Sequence, residues 1–335
     1  MHTALYFEKL NDSKVQCTLC PHGCVLIPQQ TGICRVRSNN NGVLITENYG
    51  KISSIHLDPI EKKPLYHFFP GSKILSMGSV GCNLQCNFCQ NAEISQTGIN
   101  DFSWAKDYTV HEIVIQALEI PDNIGIAFTY NEPVIFFEYM LDIARLSKRN
   151  GLNNVMVSNG FIKEGPLKEL LPWMDAFNID LKAFTDEFYR KQTRSKLDPV
   201  KRCLQLIRES GKHLEITNLV IPGLNDEEKN FAAMVQWLAE VLGKDTVLHL
   251  SRYFPRYKAT QPITNSNTLL RFKNIAIQKL SYVYVGNTEP TENSNDTVCP
   301  KCKTSLIQRY GYHVVLKSIS PEGECLNCGQ KIVIR

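Results

Sequence analysis

Apolar runs recur at regular intervals through the middle of the chain. They cover residues 74–80, 124–129, 154–158, 176–181, 213–221, 246–251 and 282–285. Each has the length and continuous apolarity of a buried strand. Between them lie longer stretches with helical spacing and their own punctuation. Thr109 and Glu112 form a capping-box pattern ahead of a helix over residues 111–118. Pro133 opens a helix that Gly151 closes, and Asp198-Pro199 opens one that Gly211 closes. This repeated strand–helix order predicts an α/β fold with a parallel sheet and outer helices over residues 72–287. Six or seven such units would curl into a partial or full barrel, whose chemistry gathers at the carboxyl ends of the strands.

The flanks break this rhythm. Residues 1–71 are rich in cysteine, with Gly32 and Gly42 marking turns and a small hairpin expected between residues 43–45 and 51–55. Asp58-Pro59-Ile60-Glu61-Lys62-Lys63-Pro64-Leu65-Tyr66-His67 holds too many prolines for a helix and reads as a connector. Lys62, Lys63, Tyr66 and His67 there either line a cavity mouth or belong to a solvated tether. Residues 288–298 are polar and turn-rich, a linker, and residues 299–335 form a short cysteine-bearing tail.

The chain has 335 residues, 43% hydrophobic and 21% charged, which suits one large α/β domain with small additions. A net charge of +4 gives no case for nucleic acid, and no apolar run is long enough to span a membrane. The first residues lack the basic-then-apolar pattern of a signal peptide, so a cytoplasmic protein is expected.

Eleven of the twelve cysteines fall into three close-spaced sets, the pattern of metal sites in a reducing compartment. Cys203 stands apart in a helical apolar pattern and reads as a small core residue. Cys82, Cys86 and Cys89 are spaced Cys-x3-Cys-x2-Cys directly after the first core strand. Three thiolates on one loop hold three irons of a [4Fe–4S] cube and leave the fourth open. Cys299, Cys302, Cys325 and Cys328 form two Cys-x2-Cys knuckles, the spacing of a zinc ribbon. Cys17, Cys20, Cys24 and Cys34 form a compact third set; zinc and an iron–sulfur cluster both accept four thiolates, and His22 could replace one of them.

The strand ends carry further candidates. Glu132, in Thr129-Tyr130-Asn131-Glu132-Pro133, suits an ammonium group or caps the following helix. Ser158 and Asn159 suit ribose hydroxyls. Asp180 and Lys182 share one face of their strand, where Lys182 suits a carboxylate positioned by Asp180, or the two form a plain ion pair. His249, Arg252 and Arg256 lie at the sixth strand, where the arginines suit an anionic substrate or simply form a charged loop.

The cysteine loop Cys82-Asn83-Leu84-Gln85-Cys86-Asn87-Phe88-Cys89 resembles the signature of radical S-adenosylmethionine (radical SAM) enzymes. The wider chain resembles the radical SAM member of the AmmeMemoRadiSam group, among the pyruvate formate-lyase activating enzyme-like proteins. The stretches that carry this likeness are Cys17–Cys24, Asp58–Leu65, the cysteine loop, Thr129–Pro133, Tyr282–Asn287 and the final ribbon. The resemblance implies a partial (β/α)6 barrel and SAM bound to the open iron. It also implies Phe88 beside the adenine, apolar packing on adenine by Val220 and Ile221, Glu132 on the SAM amino group and Lys182 on its carboxylate. The implied activity is reductive cleavage of SAM to a 5′-deoxyadenosyl radical that abstracts hydrogen from a substrate. Implied partners are an electron donor such as ferredoxin or flavodoxin, and Memo-like and AMMECR1-like proteins. Residues 91–108 hold none of the additional cysteines that many glycyl-radical activases insert after this loop. Two other readings are a glycyl-radical-enzyme activase acting on a protein partner, and a non-catalytic metal-binding adaptor.

Overall fold

The computed structural model of the chain describes residues 2–288 and 295–335. Its centre is an eight-stranded sheet: β1 (Ser54–Pro59), β2 (Lys73–Gly78), β3 (Asn123–Phe128), β4 (Asn153–Ser158), β5 (Ala176–Asp180), β6 (His213–Val220), β7 (Val247–Arg252) and β8 (Tyr282–Gly286). The strands lie side by side in chain order. β2 to β8 are parallel, and each corresponds to one of the seven apolar runs. These runs are apolar because both sheet faces are covered, as parallel strands require. The expected helices are present. Thr109 and Glu112 close a reciprocal capping box on Val110–Glu119. Pro133 starts a short 3-10 turn that runs into the helix Phe137–Arg149, and the helix Leu197–Glu209 precedes Gly211.

Two expectations about the N-terminal segment are corrected. The stretch taken as a connector begins as a strand: β1 runs antiparallel to β2, pairing Ser54 with Gly78 and Pro59 with Lys73. Its proline is tolerated because β1 is an edge strand and Pro59 is its last residue. Residues 43–45 do not pair with 51–55. Val43–Thr46 pairs with Arg37–Asn40 across Asn41-Gly42, both at positive φ, the turn that matches strand twist. Lys51–Ile52 pairs instead with Lys106–Asp107.

Residues 289–294 of the expected linker lie outside the described residues. Thr297–Val298 is already the first strand of a three-stranded sheet with Ser305–Tyr310 and His313–Leu316. Cys299 and Cys328 place their sulfurs 3.6 Å apart, as do Cys302 and Cys325, and all four lie within 4.8 Å of one another. Tetrahedral zinc with bonds of about 2.3 Å sets its sulfurs roughly 3.8 Å apart. The ribbon fits such an ion.

A buried polar chain fastens this tail to the base of the sheet. His67 Nδ1 lies 2.8 Å from the carbonyl of Val333, so that nitrogen carries the proton. Nε2 must then accept from the Tyr284 hydroxyl at 2.6 Å. Tyr284 accepts from Thr297 at 2.8 Å, and Thr297 accepts from Arg309 at 2.7 Å. Arg309 also donates to the carbonyl of Tyr66. Beneath them Glu215, fully buried, accepts from the backbone of Tyr66 and His67 and from the rings of His213 and His249. Tyr66 and His67 therefore belong to the core and not to a cavity mouth.

Burial holds His67 neutral, its pKa lowered from the ordinary 6.5 to about 3. The unfolded chain takes up this proton near the ordinary value and the folded chain does not. The stabilisation is thus complete above pH 6.5 and is lost as pH falls towards about 3. Between pH 7 and 5 we expect a loss of roughly 2 kcal/mol from this group. Urea midpoints followed by tryptophan fluorescence should fall over that interval, and His67→Gln should flatten the fall.

Candidate functional site

The cysteine loop leaves β2 through Gly78-Ser79-Val80-Gly81 and is held both by backbone bonds, from Gly81 to Ile94, Gln85 to Thr193 and Asn87 to Gln192, and by side chains. Asn131, after β3, accepts from the Ser79 N–H at 2.9 Å and donates to the Gly81 carbonyl at 2.9 Å. Asn159, after β4, donates to the Asn83 side chain at 2.8 Å and accepts from the Phe161 N–H at 2.8 Å. Gly81 sits at φ +93°, and a Cβ there would lie 2.5 Å from the carbonyl of Cys34. Only glycine meets both conditions.

The three loop cysteines line one cavity of about 570 Å³ at the carboxyl ends of the strands. Phe88, Glu132, Ser158, Asn159, Asp180 and Lys182 line it with them. Val220 and Ile221 apart, the residues expected at the SAM site are thus brought together. Burial raises the Cys86 thiol to about 12, against the nearby charge of Lys182, so this site disfavours a free thiolate. Iron binding relieves that cost by holding the thiolate in charge-neutralised form. Donors already point at the sulfurs: the Leu84 N–H lies 3.3 Å and the Asn159 amide 3.8 Å from Cys82 Sγ, and Ser95 bonds Cys89. Such hydrogen bonds set the potential of a cluster. The donor set and its environment fit a [4Fe–4S] group.

Glu132 takes the capping role. Its carboxylate caps the following turn through the Val134 N–H at 3.1 Å, and accepts from Ser158 Oγ at 2.7 Å and the Asn159 N–H at 2.8 Å. Burial, partly offset by these three bonds, raises it to about 7. Lys182 pairs with Asp180 at 2.9 Å and lies 5.9 Å from the Phe88 ring centroid. Burial opposes its charge, but Asp180 and the neighbouring Cys86 hold it well above the ordinary range.

Several expected residues fall elsewhere. Val220 and Ile221 are fully buried and do not line the cavity; Thr217 and Leu219 take that place on the alternate face of β6. On β7, Ser251 lines the cavity, whereas His249, on the same face but one step deeper, is bound to Glu215. Arg252 lines the cavity and donates to the Thr264 carbonyl at 2.8 Å; Arg256 does not line it.

Asp58 was missed as a site residue. It is buried on β1 and accepts from Lys62 at 2.8 Å, Lys63 at 2.6 Å and the hydroxyl of Tyr130. Burial would raise it, but these three donors hold it far below the carboxylate range. The result is a cavity wall where Lys62 and Lys63 stand together, with Lys63 also 4.6 Å from the Tyr130 ring centroid. The only local signal was Asp58 followed by a lysine pair.

The Radical SAM superfamily profile matches residues 77–235, from the end of β2 past β6. Uncharacterized protein MJ0808 of Methanocaldococcus jannaschii is 40% identical over 337 residues, covering 100% of this chain and 99% of its own. The pyruvate formate-lyase-activating enzyme of Clostridium pasteurianum is 22% identical over 172 residues, covering 50% of this chain and 70% of its own. Among solved structures, a radical SAM methyltransferase from Sphaerobacter thermophilus superposes with a TM-score of 0.53 at 15% identity, over 65% of this chain and 67% of its own, a likeness of fold. Among the described residues no helix is long and apolar enough to cross a membrane. The chain belongs to the family of MJ0808 and is a radical SAM superfamily enzyme, related to the activating enzymes of glycyl-radical systems.

Proposed function

We propose that Cys82, Cys86 and Cys89 hold a [4Fe–4S] cluster whose open iron takes SAM, and that the cavity above it is where hydrogen is abstracted from a substrate. One observation carries this reading. A single cavity at the strand ends joins the three thiols to Glu132, Ser158, Asn159, Asp180, Lys182 and Phe88. When bound, the cluster supplies one electron to the SAM sulfonium, releasing methionine and a 5′-deoxyadenosyl radical. The chain's own groups do the positioning. Lys182 meets the SAM carboxylate while Asp180 aims it, and Ser158 and Asn159 offer polar edges to the ribose. Glu132 is committed to its cap, so its part is to fix Ser158 and Asn159 and to leave one carboxylate lone pair towards the ammonium group. Phe88 and Leu219 supply the apolar surfaces beside adenine.

We read the parallel sheet as the partial radical SAM barrel, in a cytoplasmic protein of the AmmeMemoRadiSam group, with zinc in the ribbon and a metal at the N-terminal cysteines. A ferredoxin or flavodoxin is the proposed reductant, and Memo-like and AMMECR1-like proteins are proposed partners. Similarity to a pyruvate formate-lyase-activating enzyme favours a second reading of the same chemistry, in which the hydrogen comes from a glycine of a partner enzyme. The reactive cavity argues against a purely structural adaptor.

Anaerobic protein, reconstituted with iron and sulfide and reduced with dithionite, should convert SAM to 5′-deoxyadenosine. Cys82→Ala should make none while keeping its ribbon zinc. A filled wild-type cluster that neither binds nor cleaves SAM would remove the reading. Lys182→Ala should lower SAM affinity roughly ten- to a hundredfold, the worth of a charge-assisted bond, with iron content unchanged. Unchanged affinity by equilibrium dialysis would take Lys182 off the carboxylate.

A further inference from the structure

The N-terminal cysteines serve no step above, yet they are built against the reactive centre. Cys17 ends the strand Val15–Cys17, and Cys20 and Cys24 lie on the loop that returns into Val25–Leu26. Cys34 precedes Arg37–Asn40. All four line one cavity, whose remaining walls are largely Leu19, Leu26, Ile33, Val134 and Ile135. Arg37 lines it too, with its guanidinium held 3.0 Å from buried Glu138. Four thiols around a largely apolar space suit a metal–sulfur group.

Two features separate this set from the ribbon. The ribbon sulfurs lie within 4.8 Å of one another, as a single zinc ion requires; among the described residues no other set of three or more such ligands is gathered for one metal ion. A cube of iron and sulfide takes its thiolates at outer corners and does not need them gathered round one ion. The second feature is contact. Asn83, next to Cys82, lines the N-terminal cavity. His22, between Cys20 and Cys24, donates through Nε2 to the Asn83 carbonyl at 2.7 Å. The Asn83 side chain accepts from the Asn159 amide, which also lies 3.8 Å from Cys82 Sγ. On the other side the Cys34 carbonyl presses on Gly81 so closely that no Cβ fits. The two thiol sites meet at Asn83 and Gly81.

We propose that Cys17, Cys20, Cys24 and Cys34 hold a second iron–sulfur cluster that passes electrons to the cluster of Cys82, Cys86 and Cys89. This inference rests on the catalytic reading above. Each transfer moves one electron and breaks no bond. A low-potential protein donor is oxidised by one electron as the second cluster is reduced. That cluster is then reoxidised as the electron passes to the first, where one electron is consumed per SAM cleaved. The arrangement answers a problem of access. The loop thiols face a cavity that SAM and substrate fill, so a protein donor needs another entrance. Cys20 and Cys24 are the half-buried members of the N-terminal set.

Metal analysis and choice of reductant test this separately from the chemistry. Reconstituted wild type should hold about eight irons and about one zinc per chain. Cys20→Ala and Cys24→Ser should each hold about four irons and keep the zinc. Both should form 5′-deoxyadenosine with dithionite at close to the wild-type rate, because a small reductant reaches the catalytic cluster directly. With flavodoxin, its reductase and NADPH they should be at least tenfold slower than wild type. About four irons with two zincs in wild type would overturn the proposal, as would variants that keep the full flavodoxin-driven rate. If both variants fail to fold, the wild-type metal content still decides. If wild type with about eight irons makes no 5′-deoxyadenosine, the catalytic reading fails and the second cluster stands.

Discussion

The cluster loop has to hold three cysteines at fixed positions without a helix or strand of its own. Its shape comes from backbone bonds to Ile94, Gln192 and Thr193 together with carboxamides reaching in from neighbouring strand ends. Asn131 grips both sides of Gly81 from the end of β3, and Asn159 grips Asn83 and touches Cys82 from the end of β4. Glu132 fixes Asn159 in turn through its backbone N–H. Because each gripping residue follows a parallel strand, the sheet's register sets the loop's geometry. One of the amides that hold the loop, that of Asn159, also directs hydrogen towards Cys82 sulfur, so it both positions and would tune a cluster there.

The sheet is in turn closed below by the Glu215 network and the ribbon. Glu215 is buried and accepts four hydrogen bonds, a full set for a carboxylate whose burial is otherwise costly. The chain from Arg309 through Thr297 and Tyr284 to His67 ties the tail to this base. The ribbon shares its apolar core with Tyr66, Val247, Tyr282 and Tyr284, so a segment too short to fold on its own packing borrows the underside of the sheet.

Much of this was legible in the residues. Parallel strands covered on both faces read as apolar runs, and all seven were found. Cysteine spacing and the Thr109–Glu112 box are local patterns that need no tertiary context. What sequence hid were the long-range pairings. Asp58 gains its meaning from Lys62, Lys63 and Tyr130, which meet only because β1 lies along β2. Strand alternation placed His249 with Ser251 but not its depth, and gave β6 two faces without saying which met the cavity. Asn131 and Asn159 carry no signal of their role until the fold brings them over the loop. The hairpin error was avoidable, since Asn41-Gly42 is a strong local turn signal.

The central claim is that the three loop thiols form a cluster with one iron open to SAM. Electron paramagnetic resonance of the anaerobically reduced Cys20→Ala variant, with and without SAM, tests it most directly. The account predicts a reduced [4Fe–4S] signal that shifts when SAM is added and disappears when Cys82→Ala is introduced as well. A signal indifferent to SAM, or one that survives loss of Cys82, would contradict it.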